Sequence, residues 1–279
     1  MAGKSAAAGP TLDGMGARVR RRNFGKNHAY YFTQPGGEEV KLDGVTTLIG
    51  GGLPKPALVN WAARSAAERA VNEWDRLATL SVSDRLKEIQ FAHRDDRDQA
   101  ANRGTQVHAL AEKMLHGEAF DGPEFLRPHA ESAVRFMDDF QWEPVLTETT
   151  VYSERHLYGG TFDTLGRSLL PAHEGKVILA DWKTSRSGIF AEAAIQMSAY
   201  RHADFYVDGD SIEHPMAELG VTDTWALWIR ADGYDVYEVD TSESTFKFFQ
   251  YIAAVARRAK ALEDHPLVGE ALDRPGVAA

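Results

Sequence analysis

The feature that most constrains the fold of this chain is the stretch VILADWKTS at residues 177–185. Its four leading apolar residues predict a strand that is buried on both faces, and the strand then ends in Asp181, Trp182 and Lys183. Because side chains alternate along a strand, Asp181 and Lys183 point to one face and Trp182 to the other. An acid and a lysine side by side at the end of a buried strand indicate either a surface ion pair or a reactive site.

The elements around this strand predict an α/β fold. Helical periodicity dominates about residues 55–140, and residues 143–240 read as strands with one crossover helix and a hairpin at Asp232-Gly233. This order predicts a mixed central sheet flanked by helices, with a helical N-terminal elaboration. Short strands are expected over residues 28–50. We further expect a flexible tail at 1–16, a single domain over 17–279 and a last helix at 241–264.

The composition excludes several classes of site. The chain has no cysteine, so it cannot form a disulfide, a thiolate zinc site or a cysteine-bound iron–sulfur cluster. No apolar run approaches the roughly 18 residues of a membrane span, and we expect a cytoplasmic protein without a membrane partner. The net charge of −10 argues against coating nucleic acid by bulk attraction. The basic stretch Arg18–Lys26 is either a solubilising edge or a phosphate contact.

A second carboxylate is predicted to lie beside Asp181. Asp163 follows Gly159 and Gly160 in the preceding strand, and its separation of 18 residues from Asp181 suits adjacent antiparallel strands. Two carboxylates on one face repel each other unless a cation lies between them, and oxygen ligands favour Mg²⁺ or Mn²⁺. With Lys183 in reach of whatever the metal binds, the arrangement suits phosphodiester hydrolysis.

Two helices carry further polar pairs at a spacing of four residues. Gln196 and Tyr200 lie on one face of the crossover helix, and His108 and Glu112 lie on one face of an earlier helix. Each pair is also compatible with ordinary packing. The earlier helix is expected to break at Arg103-Gly104-Thr105, where its start would approach another segment closely.

The order of these motifs resembles the PD-(D/E)xK nuclease superfamily, in its RecB-like branch of phage-type exonucleases. The resemblance rests on His108, GGTFD ending at Asp163, DWK at 181–183 and QMSAY at 196–200, and it covers about residues 40–205. It implies a restriction-endonuclease-like fold and a metal-dependent DNA nuclease that acts on linear DNA ends in phage or bacterial recombination or repair. The alternative is a non-catalytic module of the same fold that binds DNA or a partner protein.

The resemblance also implies roles for individual residues. Lys183 would be the catalytic lysine, and the metal ligands would be His108, Asp163, Asp181 and the backbone carbonyl of Trp182. Gln196 and Tyr200 would bind DNA or brace the site. Weaker candidates are Glu112 and Glu148, for which a solvated surface is the alternative, and Arg186 as a phosphate contact.

Cofactor and partner expectations follow from the same resemblance. A histidine beside two aspartates suits Mn²⁺ at least as well as Mg²⁺. Some relatives carry a cysteine-bound iron–sulfur cluster, which this chain cannot hold. Phage relatives often work beside a single-strand-annealing recombinase, so such a partner is expected in a bacterial host cytoplasm. The acid of the D-x-K motif is Asp181 rather than the more frequent glutamate, which shortens its reach. Oligomeric state and cleavage polarity stay open.

Overall fold

The computed structural model describes residues 17–24, 27–115, 117–185, 187–264 and 267–269. Within these ranges the strands are β1 Val19–Phe24, β2 Asn27–Thr33, β3 Glu39–Gly44, β4 Trp142–Ser153, β5 Tyr158–Ser168, β6 Ile178–Lys183, β7 Phe205–Val207, β8 Glu213–Pro215, β9 Asp223–Arg230 and β10 Gly233–Glu238. The helices are α1 Val45–Gly52, α2 Pro56–Asn72, α3 Trp74–Ala78, α4 Val82–Gln90, α5 Ala92–Leu115, α6 Arg127–Asp139, α7 Ala191–Arg201 and α8 Glu243–Asp264.

The strands form one mixed sheet whose path forks at β5. One edge of β5 pairs along its length with β4, in antiparallel orientation. The other edge pairs at Tyr158 and Gly159 with β3, in parallel, and then at 164–166 with β6, in antiparallel orientation. From β6 the sheet continues to β9 and β10. The predicted α/β class, with a mixed central sheet flanked by helices, is confirmed.

The other branch of the sheet curls until its first and last strands meet. Its order is β1-β2-β3-β5-β4-β7-β8. The amide of Ala17, just before β1, donates to the carbonyl of Ser211, just before β8, at 2.9 Å. The curl encloses a small core that includes Val19, Phe32 and Tyr152. This closure fixes the hairpin β1–β2 beside the middle of the sheet.

Two larger cores cover different parts of the sheet. Helices α1, α7 and α8 form one with buried residues such as Leu179 of β6 and Phe249 of α8. Helix α6 forms the other, in which Phe136 packs edge-on against Trp182 at 5.5 Å between ring centroids. Leu179 and Trp182 thus enter different cores, as the alternation along a buried strand predicts. The end of β6 is therefore covered on one side by α6 and on the other by α7.

The expectation of a strand over the end of residues 28–50 is wrong. Residues 45–52 form helix α1, although Val45 and the threonines that follow it are β-branched and typical of strands. Val45, Leu48 and Ile49 are spaced as on one helix face and are all buried. Burial against the adjacent core therefore outweighs the local strand propensity. Strands β1, β7 and β8 are not predicted by the sequence patterns, and the residues of β7 are expected to continue the crossover helix, which ends at Arg201.

The predicted break at Arg103-Gly104-Thr105 is wrong, because α5 runs through these residues without interruption. The expected close approach is nevertheless present. A Cβ added at Gly104 would lie 3.2 Å from Oγ1 of Thr184, just beyond β6. Gly104 therefore lets α5 approach the end of β6, which brings the following turn of the helix to the same place.

The extent of the domain over 17–279 stays a prediction. None of the helices in the described ranges combines the length and the apolar character required to cross a bilayer.

Candidate metal site

The two predicted aspartates lie where β5 and β6 part. The antiparallel ladder between these strands reaches Thr164 opposite Ala180, which places Asp163 and Asp181 next along their strands. Instead of a further backbone bond, the amide of Trp182 donates to Oδ2 of Asp163 at 2.7 Å. The prediction that these residues lie on adjacent antiparallel strands is confirmed. At the fork of the sheet, the Asp163 carboxylate thus accepts the hydrogen bond that a backbone carbonyl would otherwise accept.

Three side chains from three different elements come together at this point. His108 of α5, Glu148 of β4 and Asp163 of β5 each offer a ligand atom, and these atoms all lie within 4.8 Å of one another. Nδ1 of His108 is 3.4 Å from Oδ1 of Asp163. One imidazole nitrogen with two carboxylates is a donor set that suits Mn²⁺ or Mg²⁺. The residues present therefore fit a divalent cation.

Glu148 enters this group through an unusual backbone conformation. Its φ of +43° lies in the left-handed region, which costs a residue with a side chain about 1–2 kcal/mol. The β4–β5 ladder pairs Thr147 with Thr164 and Thr149 with Phe162 but omits the pair between them, Glu148 and Asp163. Glu148 therefore lies beside His108 and Asp163 while staying partly accessible to solvent, and its role as a ligand stays a prediction. Counting the hairpin register outwards from Ser153 and Tyr158 would have placed it opposite Asp163.

Burial and nearby charges shift the pKa values of all three side chains. Burial, together with the nearby Asp163, raises the pKa of Glu148 to about 7. Burial alone would lower the pKa of His108, but the attraction of Asp163 outweighs it and raises the pKa to about 9. Burial would raise the pKa of Asp163, but His108 and Lys183 hold it below the ordinary value. A cation would relieve the repulsion between the two carboxylates.

A second network contains the lysine at the end of β6. Nζ of Lys183 lies 2.5 Å from Oδ2 of Asp181 and donates to Oε1 of Gln196 at 3.1 Å. Nε2 of Gln196 donates to Oδ1 of Asp181 at 3.2 Å and to the hydroxyl of Tyr200 at 3.0 Å. A Cβ on Gly160 would lie 2.3 Å from Cε1 of Tyr200, so a glycine is required there. The predicted pair Gln196–Tyr200 therefore does face the D-x-K motif.

Burial and the Asp181–Lys183 ion pair have opposing effects on the pKa values in this second network. It raises the pKa of Asp181 to about 6, although the adjacent Lys183 opposes the rise. Burial would lower the pKa of Lys183, but the attraction of Asp181 outweighs it and raises the pKa. Lys183 is therefore an ammonium group at neutral pH, held in a fixed position.

Not every predicted ligand joins the group of three. The carboxylate of Asp181 is bonded to Lys183 and Gln196 rather than gathered with His108, Glu148 and Asp163. Its role as a metal ligand, and that of the Trp182 carbonyl, stay predictions. Glu112 lines the same cavity as the group. Arg186 lies outside the described residues.

The group opens into a cavity of about 1010 Å³. Its walls come from the site strands, from α5, from the hairpin β1–β2 and from the end of α8. The group is therefore accessible from outside the protein through this cavity.

Comparisons with known proteins do not place the chain in a family. A scan against protein-family models finds no match. A search of curated proteins finds no similar sequence.

Among solved structures, the protein SSO0001 is 15% identical, with a TM-score of 0.32, and the match covers 80% of this chain and 76% of that one. The alkaline exonuclease LHK-Exo from Laribacter hongkongensis is 13% identical, with a TM-score of 0.33 and coverage of 60% and 84%. Both scores are too low to support a functional conclusion, which must therefore come from the site itself.

Proposed function

We propose that this protein is a divalent-metal-dependent nuclease that hydrolyses phosphodiester bonds in DNA. One observation carries the proposal: Asp163 connects the group that fits a metal ion with the strand end that presents a charged lysine. Its Oδ1 faces His108, and its Oδ2 accepts the amide of Trp182, the residue before Lys183. A metal-binding group and, at the adjoining strand end, a charged ammonium group are the parts that phosphodiester hydrolysis needs.

The metal would be held by His108, Glu148 and Asp163, with Asp181 and the Trp182 carbonyl as further proposed ligands. When bound, Mg²⁺ or Mn²⁺ would polarise the phosphate and lower the pKa of an attacking water. These ligands stand on separate elements that the sheet and α5 hold together, so the site is formed before the substrate arrives.

Lys183 is proposed to stabilise the negative charge that develops on the phosphate. An ammonium group has three N–H donors. Lys183 donates one to Gln196 and also forms an ion pair with Asp181. A remaining donor can be given to a phosphate oxygen. Gln196 fixes the lysine in place, and Tyr200 in turn fixes Gln196. These two residues are therefore proposed to position the lysine.

The finer proposals rest on the order of the sequence motifs. They are exonuclease action on linear DNA ends, a role in phage or bacterial recombination or repair in the cytoplasm, and a single-strand-annealing recombinase as partner. The non-catalytic alternative predicts that a reactive residue is missing. Every one of the motif residues His108, Asp163, Asp181 and Lys183 is present, which favours the enzyme.

The decisive experiment compares a linear duplex with its covalently closed circular form. Wild-type protein would be incubated with Mg²⁺, Mn²⁺ or EDTA, beside Asp163→Asn, which keeps an acceptor for the Trp182 amide. The exposed Asp235→Asn is the matched control. We expect metal-dependent loss of the linear form only, in the wild type and the control. Cleavage in EDTA, or full activity in Asp163→Asn, would overturn the mechanism; loss of the circle as well would overturn the exonuclease assignment.

A further inference from the structure

The arginines around β1 occupy different environments. Arg18 forms ion pairs with Glu154 at 3.1 Å and Glu213 at 2.7 Å. Arg22 pairs with Glu39 at 2.5 Å. Arg21 takes part in none of the ion pairs formed among the described residues. The basic stretch is therefore partly structural, and Arg21 is a cation left for another partner.

Arg21 lies on the part of the hairpin that borders the metal site. It is opposite Tyr30 of β2, whose hydroxyl lies 2.9 Å from Oγ1 of Thr161 on β5. The ring of Tyr30 occupies the space left by Gly159, where an added Cβ would come within 2.8 Å of Cγ. The ring of His28 packs edge-on against Tyr30 at 5.3 Å between centroids. Glycine at position 159 thus lets this end of the hairpin lie directly on β5, where Tyr30 and Asp163 line the same cavity.

Arg21 lies on the wall of the cavity that contains the proposed metal ligands. Arg21, Glu148 and Asp163 line the same cavity, and so does Lys260 of α8. Lys260 likewise takes no part in the ion pairs among the described residues. Two exposed cations therefore stand on the walls of a cavity whose floor is acidic.

We propose that Arg21 and Lys260 bind backbone phosphates of the DNA strand on either side of the reacting phosphate. The inference rests on the proposed nuclease function and deepens it. A guanidinium group donates two parallel N–H bonds to phosphate oxygens, and a lysine supplies a point charge. In a chain of net charge −10, two cations on the cavity walls would attract a strand to the site rather than to the whole surface. Both are positioning residues and touch no reacting atom.

The test uses the single and double variants Arg21→Ala and Lys260→Ala. The matched control is Arg20→Ala, an exposed arginine on the same strand whose side chain points to the opposite face. All are assayed with Mn²⁺ on DNA and on bis(p-nitrophenyl) phosphate, a diester too small to reach the walls. We expect the double variant to raise KM for DNA several-fold, with the rate on the small diester unchanged. Arg20→Ala should behave as wild type on both.

Salt dependence gives the second readout. Each lost phosphate contact lowers the slope of log affinity against log salt by about 0.7 for a single strand. Binding of fluorescent single-stranded DNA in EDTA therefore measures the contacts without any cleavage. A double variant with wild-type slope and KM, or an equal effect of Arg20→Ala, would overturn the inference. If wild-type protein binds with the expected slope difference but cleaves neither substrate, the nuclease proposal fails and the phosphate contacts stand.

Discussion

Two clusters of charged side chains share strand β4, and they differ in how their buried carboxylates are neutralised. The site cluster is His108, Glu148, Asp163, Asp181 and Lys183. The tether cluster closes the curled branch of the sheet at the other end of β4 and consists of Arg18, Glu154, Arg155, Asp204 and Glu213. Both contain carboxylates that are largely removed from water.

Every carboxylate of the tether cluster lies against an arginine. Glu213, whose side chain is 5% exposed, receives Arg18 and also the hydroxyl of Tyr152. Asp204 receives Nε of Arg155 at 2.6 Å. Burial would raise the pKa of Asp204, but the hydrogen bonds from Arg155 and Ser153 hold it below the ordinary value. This cluster is compensated, and its role is to hold strands together.

The site cluster leaves part of its charge uncompensated. The pKa values of Asp181 and Glu148 are raised by burial to about 6 and about 7, opposite in direction to Asp204. Raised pKa values of carboxyl groups that are withdrawn from water mark positions where the fold holds charge at a cost to its own stability. The comparison therefore predicts that substitutions in the two clusters separate activity from stability.

The largest effect is expected from Lys183→Gln. Loss of the ammonium group removes a fixed donor to the developing charge, and such a loss lowers kcat by about 10²–10³-fold. The amide can still bond to Asp181, so the thermal midpoint should change little. Steady-state cleavage and a thermal melt measure the two quantities. The control is Lys176→Gln. Lys176 lies just before β6 and pairs with Asp223 of β9, so this variant should keep full activity. Equal losses of activity in the two variants would contradict a specific role of Lys183.

The opposite pattern is expected from Arg18→Ala. The substitution leaves the buried Glu213 without its cation, which should lower the free energy of unfolding by about 2 kcal/mol. The loss is smaller than for a fully buried ion pair because Arg18 is partly exposed. For a chain of this size the thermal midpoint then falls by roughly 4–8 °C. The rate per folded molecule on the small diester should be unchanged. A variant as stable as the wild type would mean that the tether cluster does not close the sheet.

The smallest effect is a gain of stability in Glu148→Gln, measured in EDTA. Because the folded-state pKa of Glu148 is raised from 4.5 to about 7, the folded state favours the protonated carboxyl. That contribution is complete below about pH 4.5 and is lost as the pH rises through 7. At pH 8 the amide should therefore be more stable by about 1 kcal/mol, after discounting for solvent screening.

Chemical denaturation at pH 8 and pH 4 checks both the size and the sign of this change. The gain should vanish at pH 4, where the wild-type carboxyl is protonated as well. Glu154→Gln in the tether cluster should give no gain at pH 8, since its carboxylate lies against Arg18. A gain of equal size at both pH values would show that ionisation of Glu148 does not destabilise the folded protein.

Much of the sheet and part of the site could be predicted from the sequence. The alternation in β6 correctly separates Trp182 from Asp181 and Lys183, because a strand offers two faces and both are occupied by packed helices. The spacing of four residues correctly joins Gln196 to Tyr200, since a helix brings such residues together. These features depend on local geometry alone.

The features that were missed depend on partners far away in the sequence. The strand-like residues of α1 become helical because of a core that includes α8 at the end of the chain. The left-handed backbone of Glu148 has no signal in its own residue type. The difference between Arg18 and Arg21 is set by Glu213, which is 195 residues from Arg18. Periodicity cannot show which of two neighbouring arginines will meet such a partner.

The closure of the curled branch has a consequence for the order of folding. Asp163 and the Trp182 amide are 19 residues apart, whereas Arg18 must find Glu213 across 195 residues. The entropy of closing a loop rises with its length, and contacts between distant residues form slowly. We expect the strands that carry the metal ligands to associate early and the first strand to dock last. A nascent chain would then hold its reactive side chains in place before the wall with Arg21 is complete.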